Sequence, residues 1–217
     1  MTESKFHPGT EFDRQVQTVL DMGYPALTGL GEKAFLELVS PLRDVAVVRG
    51  ATMDPPTAAR VPFVLVITKE IAPPDRTMML TRLNGKPGFA DYDADDLRRF
   101  DPIKELEVPD RLAYLVFDVD RGAETLNVTP DAAMVTITAQ GRTPLTVDEG
   151  IAFVTQYPGS LAKNNCFSLV GSRCGDRRVP AIWISKKAPK LGWCWAGNPH
   201  TWLGSASCAD RAGAPAG

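Results

Sequence analysis

Apolar residues at Phe12, Val16, Val19 and Leu20 recur at helical spacing and predict a first helix, closed by Gly23 and blocked by Pro25. A second stripe, Ala34, Phe35, Leu38 and Val39, predicts a helix over 32–39 that Ser40-Pro41 ends. The loop 50–60, with Asp54-Pro55-Pro56, gives way to Val61–Thr68, a continuous β-branched and aromatic run. It reads as a strand covered on both faces. Leu112–Val119 has the same character. The two runs are expected to be neighbours at the centre of one sheet, flanked by the first two helices. Met78–Leu83 reads as a further strand.

Thr129-Pro130-Asp131 carries an N-cap, an N1 proline and an acid in the first turn, which predicts a helix to Ala139. The β-branched run Val135–Thr138 leaves a strand open there. Thr146-Val147-Asp148-Glu149 is a capping box, with helix expected through Phe153 and Val154 to Tyr157-Pro158. Cys166–Val170, Val179–Ser185 and Leu191–Trp195 read as strands, the first two joined by the polar turn 171–178. Residues 209–217, rich in Ala, Gly and Pro, read as a disordered tail. Helices and strands mix without regular βαβ alternation. The expectation is a single α+β domain over 1–208, a mixed sheet with flanking helices.

Composition excludes more than it assigns. The 217 residues carry 24 Lys and Arg against 26 Asp and Glu, a net charge of −2, so no basic surface for nucleic acid is expected. No run approaches the roughly 18 apolar residues of a membrane span. Met1–Thr10 is polar and lacks an apolar signal core, so a cytoplasmic location is expected. P-loop, dinucleotide-binding, nucleophile-elbow and zincin motifs are missing, and no cofactor is expected. Cys166, Cys174, Cys194 and Cys208 are too widely spaced for a zinc ribbon. Four reduced thiols, two or three of them buried, are expected and no metal, with a Cys194–His200–Cys208 site and a disulfide as the other readings.

Candidate chemistry crowds into 163–205. Trp193 and Trp195, two apart in a strand, share a face and are either core or the wall of a pocket for a planar ligand. Gly192, Gly197 and Gly204 nearby permit close backbone approach. His200 lies in the turn Asn198–Thr201, as a proton-transfer group or a structural one. Arg173, Arg177 and Arg178 border a turn able to hold a carboxylate or phosphate, or simply solvated. Asn165, in Lys163–Cys166, either orients a ligand or closes a turn. Glu149 is either the capping-box acceptor or, beside Ile151 and Phe153, a desolvated acid–base group.

The segments Gly141–Thr146, Asp148–Gly150, Asn165–Phe167, Gly171–Ala181 and Pro189–Ser205 resemble an actinobacterial family of no known function, and the likeness extends back to Phe12–Gln15. That resemblance implies an actinomycete cytoplasm and a role in specialised metabolism. In size and in lacking cofactor motifs the chain is also similar in kind to cofactor-free Pictet–Spengler-type condensing enzymes. The resulting expectation is a cofactor-independent small-molecule enzyme. Glu149 or His200 would move protons, while Arg173, Trp193, Trp195 and Asn165 would bind an aromatic, anionic ligand. A non-catalytic ligand-binding or protein-interaction module is the alternative, and a homodimer is left open.

Overall fold

The stripe around Phe12 becomes α1 (Pro8–Asp21) in the computed structural model, which describes residues 6–215. Gly23 follows it with φ 83°, the left-handed turn that glycine adopts at no steric cost. α2 (Gly31–Val39) is succeeded by α3 (Leu42–Gly50), a helix that Arg43, Asp44 and Arg49 disguise in the sequence. Pro74 opens α4 (Pro74–Leu80), so the strand expected over 78–83 is instead a helix followed by the short strand Arg82–Leu83. An N1 proline and Asp75 in the first turn decide the matter against the apolar run. α5 (Pro130–Ala139) starts where Thr129 Oγ1 accepts from the Ala132 N–H at 3.2 Å. α6 (Val147–Gln156) starts at the complete capping box.

The strands are β1 (Arg60–Ile67), β2 (Ala113–Asp120), β3 (Cys166–Ser168), β4 (Arg178–Ser185), β5 (Ala188–Trp195), β6 (Leu203–Ser205), β7 (Ser207–Cys208) and β8 (Asp210–Gly213). One sheet runs β1–β2–β7 and on to Thr143–Pro144, with β8 also pairing along β2. The other runs β6–β3–β4–β5 and ends on Phe89–Ala90. β1 and β2 pair antiparallel, Leu65 opposite Leu115, so the two apolar runs are neighbours as expected. β1 is nevertheless the end of its sheet. Its outer edge is not open to water, because the buried Gln15 of α1 lies along it. The Gln15 amide donates to Phe63 O at 2.9 Å and accepts from the Leu65 N–H at 2.8 Å, as a neighbouring strand would.

Alternation along β1 sorts its side chains. Phe63, Leu65 and Ile67 pack with Phe12, Phe35 and Leu42 from the helical layer. Val64 and Val66 face the other way, into a second core with Ile151, Phe153 and Val154 of α6. α6 is thus a central helix between sheets, buried at almost every position. Gly150 makes that possible, since a Cβ there would lie 2.2 Å from the Leu169 side chain. The result is one α+β domain in layers. Leu115 is fully buried on β2, and Leu115→Ala should cost about 2–5 kcal/mol in a denaturant melt, a loss under ~1 kcal/mol contradicting this packing.

Of the segment expected to be a disordered tail, Asp210–Gly213 is part of the sheet, while 216–217 lie outside the described residues. Asp210–Gly213 pairs with Phe117–Tyr114 of β2, and Cys208 is buried. The residues Asp-Arg-Ala-Gly have little strand propensity. Pairing to a central strand and the contacts of Arg211 override it.

Candidate active site

Where β1 ends and β2 begins, the chain leaves a cleft of about 430 Å³. Its walls are largely apolar, including Leu38, Phe100, Val108, Pro109 and Leu112. The polar part is built by three segments: Thr68, Lys69 and Glu70 after β1; Arg111 and Tyr114 at the start of β2; and Thr146, Val147 and Asp148 at the N-terminus of α6, with Ser172 beside them. Of the stretch 163–205, Ser172 reaches this cleft; Arg173, Trp193, Trp195, Asn165 and His200 do not line it.

Asp148 is the group with the clearest chemical consequence. Its Oδ2 accepts from the Lys69 backbone N–H at 2.9 Å, and Oδ1 makes no hydrogen bond among the described residues. The carboxyl is partly open to the cleft yet enclosed by protein on its other sides. Burial pushes its pKa up to about 7, outweighing the Lys69 N–H and ammonium, which pull it down; Glu70 and Glu149 add to the rise. Lys69 is itself committed, its Nζ reaching Phe100 O at 3.2 Å and the Asp101 carboxylate.

Glu149 is wholly buried and performs the capping-box task. Its Oε2 accepts from the Thr146 N–H at 2.8 Å, and Thr146 Oγ1 accepts in return from the Glu149 N–H. It does more than cap. Oε1 accepts from the Tyr114 hydroxyl at 2.8 Å and from Arg211 Nε at 2.6 Å, and Arg211 Nη2 lies 2.8 Å from Oε2. Both carboxylate oxygens are therefore occupied, and Glu149 is not among the residues lining the cleft. Arg211 also donates to Thr143 Oγ1 and Pro144 O, tying β8 to the chain entering α6. Burial and the Glu149 charge hold the Tyr114 phenol far above its usual pKa, so it stays protonated.

The other expected site residues lie elsewhere: Trp193 and Trp195 on β5, Asn165 and His200 in the loops before β3 and β6, and Arg173 in a short ladder with Asp101. Trp193 and Trp195 are 38% and 46% exposed with ring centroids 4.8 Å apart, so they are neither core nor the wall of the cleft. The partner face of β5 carries Gly192, where a Cβ would lie 2.1 Å from Trp183, and buried Cys194. His200 packs against Trp202 at 5.3 Å, and its carbonyl accepts from the Asn127 N–H. Asn165 closes a turn: it bridges to Ala162, and its Oδ1 accepts from Arg121 at 3.3 Å. Arg173 Nη1 donates to Val170 O and Ser172 O, and burial lowers its pKa. Arg178 is engaged by Asp96 and Asp176. All four cysteines are free and buried, one or two more than expected to be buried. Among the described residues no three His, Cys, Asp or Glu side chains converge as a metal-ligand set.

Asp148 carries no signal of its own in the sequence, because an acid at N2 of a helix is an ordinary favourable residue for the macrodipole. Only the return of β1, bringing the Lys69 N–H and a closed apolar surround, makes it unusual. The neighbouring Glu149, better hidden among apolar residues in the sequence, is the one neutralised by a partner 62 positions away.

The fold and the cleft define a single-domain α+β protein with a largely enclosed carboxyl, Asp148, on a small-molecule-sized cavity. The chain belongs to a family of unknown function, DUF5701, whose model matches residues 18–214. No curated protein and no solved structure matches it. Among the described residues no helix is long and apolar enough to cross a membrane.

Proposed function

We propose that this chain is a cofactor-independent small-molecule enzyme in which Asp148, and not Glu149 or His200, transfers the proton. The carrying observation is a carboxyl at the cleft whose Oδ1 is unengaged and whose pKa of about 7 matches neutral conditions. Volume and lining suit a compact ligand with an apolar body. Tyr114, Thr146 and Ser172 also line the cleft. A Pictet–Spengler-type closure in specialised metabolism is one reaction of this kind. An amine and an aldehyde lose water to give an iminium, an aromatic carbon attacks the iminium carbon, and the ionised carboxylate takes the displaced ring proton. As a base, Asp148 predicts turnover that rises with pH to a plateau above about 7.

The test starts from a ligand co-purified with the protein and identified by mass spectrometry, followed as substrate. Asp148→Asn should lower turnover by about 10²–10⁴-fold while changing affinity little. A variant with turnover and pH profile like the original removes Asp148 from the chemistry. The exposed pair Trp193 and Trp195 favours the second reading, a non-catalytic binding or interaction module. That reading wins if the ligand dissociates unchanged and Trp193→Ala with Trp195→Ala abolishes its binding.

A further inference from the structure

We propose that Arg211, on the C-terminal strand, is a positioning residue for the Asp148 carboxyl, acting through Glu149 and Tyr114. The inference rests on the acid–base reading of the cleft and deepens it.

Arg211 Nε and Nη2 grip both oxygens of Glu149, the residue next to Asp148 in the first turn of α6. Glu149 in turn holds the Thr146 N–H, and Thr146 lines the cleft. It also accepts a hydrogen bond from the Tyr114 hydroxyl, fixing the orientation of a residue that lines the cleft. Arg211 Nη1 donates to Thr143 Oγ1 and Nη2 also to Pro144 O, anchoring the chain that leads into the helix. The same strand also packs beside a cleft residue at Gly213, where a Cβ would come 3.1 Å from the stem of Arg111. An ordinary edge strand needs none of this, since its ladder to β2 already pairs its backbone.

The charge arrangement follows from the same contacts. The groups around Asp148 are Lys69 and Glu70 beyond β1, Tyr114 of β2, Tyr24 of the short helix Tyr24–Leu27 after α1, and Glu149 of its own helix. Glu149 disfavours ionisation of Asp148. Arg211 is the cation that balances Glu149, with side chains 4% and 0% exposed, so screening by water between them is slight. Taking the guanidinium away leaves Glu149 uncompensated beside Asp148, which should then hold its proton to higher pH. Loss of the Tyr114 hydroxyl acts with the same sign, by removing a hydrogen-bond donor from Glu149.

The experiment is a carbon-13 carboxyl titration of the full chain, with Asp148→Asn assigning the resonance. The original protein should titrate near 7. Arg211→Gln should raise the midpoint by about half a pH unit or more, and Arg211→Lys should undo at least part of that shift by restoring the charge. Thermal melts are recorded alongside. Lower melting temperatures with midpoints unmoved within about 0.2 unit would make Arg211 a scaffold residue only and overturn the inference. If Arg211→Gln does not fold, Tyr114→Phe carries the test, an upward shift supporting the inference and an unmoved midpoint overturning it. An original midpoint near 4 sinks the acid–base reading and this inference together, an outcome distinct from unmoved variants around a midpoint near 7.

Discussion

Asp148→Asn should make the protein more stable at pH 8 by about 2–4 kcal/mol, while leaving stability below pH 4 nearly unchanged. The folded-state pKa, about 7, lies above the ordinary value of 3.8. Between those values the folded protein holds a proton that the unfolded chain has released. Stability of the original protein therefore falls as pH rises from about 4 to about 7, and is flat above. Each unit of pKa difference is worth about 1.4 kcal/mol, so the full span reaches about 4 kcal/mol as an upper bound. Asparagine has no proton to lose, and its curve should lack this slope. Urea denaturation at closely spaced pH values reads both curves, and parallel curves would show that Asp148 ionises normally. A residue that lowers stability where the protein is expected to work is the kind retained for chemistry rather than for folding.

Arg211→Met should be among the most damaging single substitutions, at about 3–5 kcal/mol. The cost does not measure the attraction of the pair. It measures a buried Glu149 carboxylate left with one hydroxyl and one N–H for company. Replacing both partners, Arg211→Met with Glu149→Leu, should therefore recover much of the loss in a double-mutant cycle, tempered by the capping bond that Glu149 also makes. A double variant no better than Arg211→Met alone would show that the contacts to Thr143 and Pro144 matter more than the charge.

Much of the framework was legible because its signals are local. The capping box at Thr146, the N1 proline after Thr129, the glycine after α1 and the unbroken apolar runs of β1 and β2 each state their element within a few residues. Elements escaped where local chemistry was ambiguous. α3 mixes charges with Val45, Val47 and Val48, and α4 hides a helix start at Pro74 ahead of an apolar run. The hairpin joining β4 to β5 turns on Lys186 and Lys187, both at positive φ, where glycine or asparagine would have announced it. The site was less legible than the fold. Density of aromatic and basic residues pointed to 163–205, but sheet alternation turns Trp193 and Trp195 outward, and the cavity forms where segments distant in the sequence, from Leu38 to Ser172, meet. Asp148 and Glu149 were both visible as acids at a helix start. Which one is neutralised depends on β8, a strand the sequence does not advertise.

The side chain of Gln15 also has a bearing on how this chain behaves when partly unfolded. Val61–Ile67 is a seven-residue stretch without a charge, and its only proline sits near one end, a composition prone to intermolecular β-association. In the folded protein its free margin is occupied by an amide from a helix 48 residues earlier. Detachment of that one helix, with the rest of the domain intact, would present a template to other molecules. Self-association should accordingly track the opening of the N-terminal helix rather than global unfolding, and Gln15→Leu, which fills the space but offers no amide, should aggregate at temperatures where the original protein remains monodisperse by light scattering.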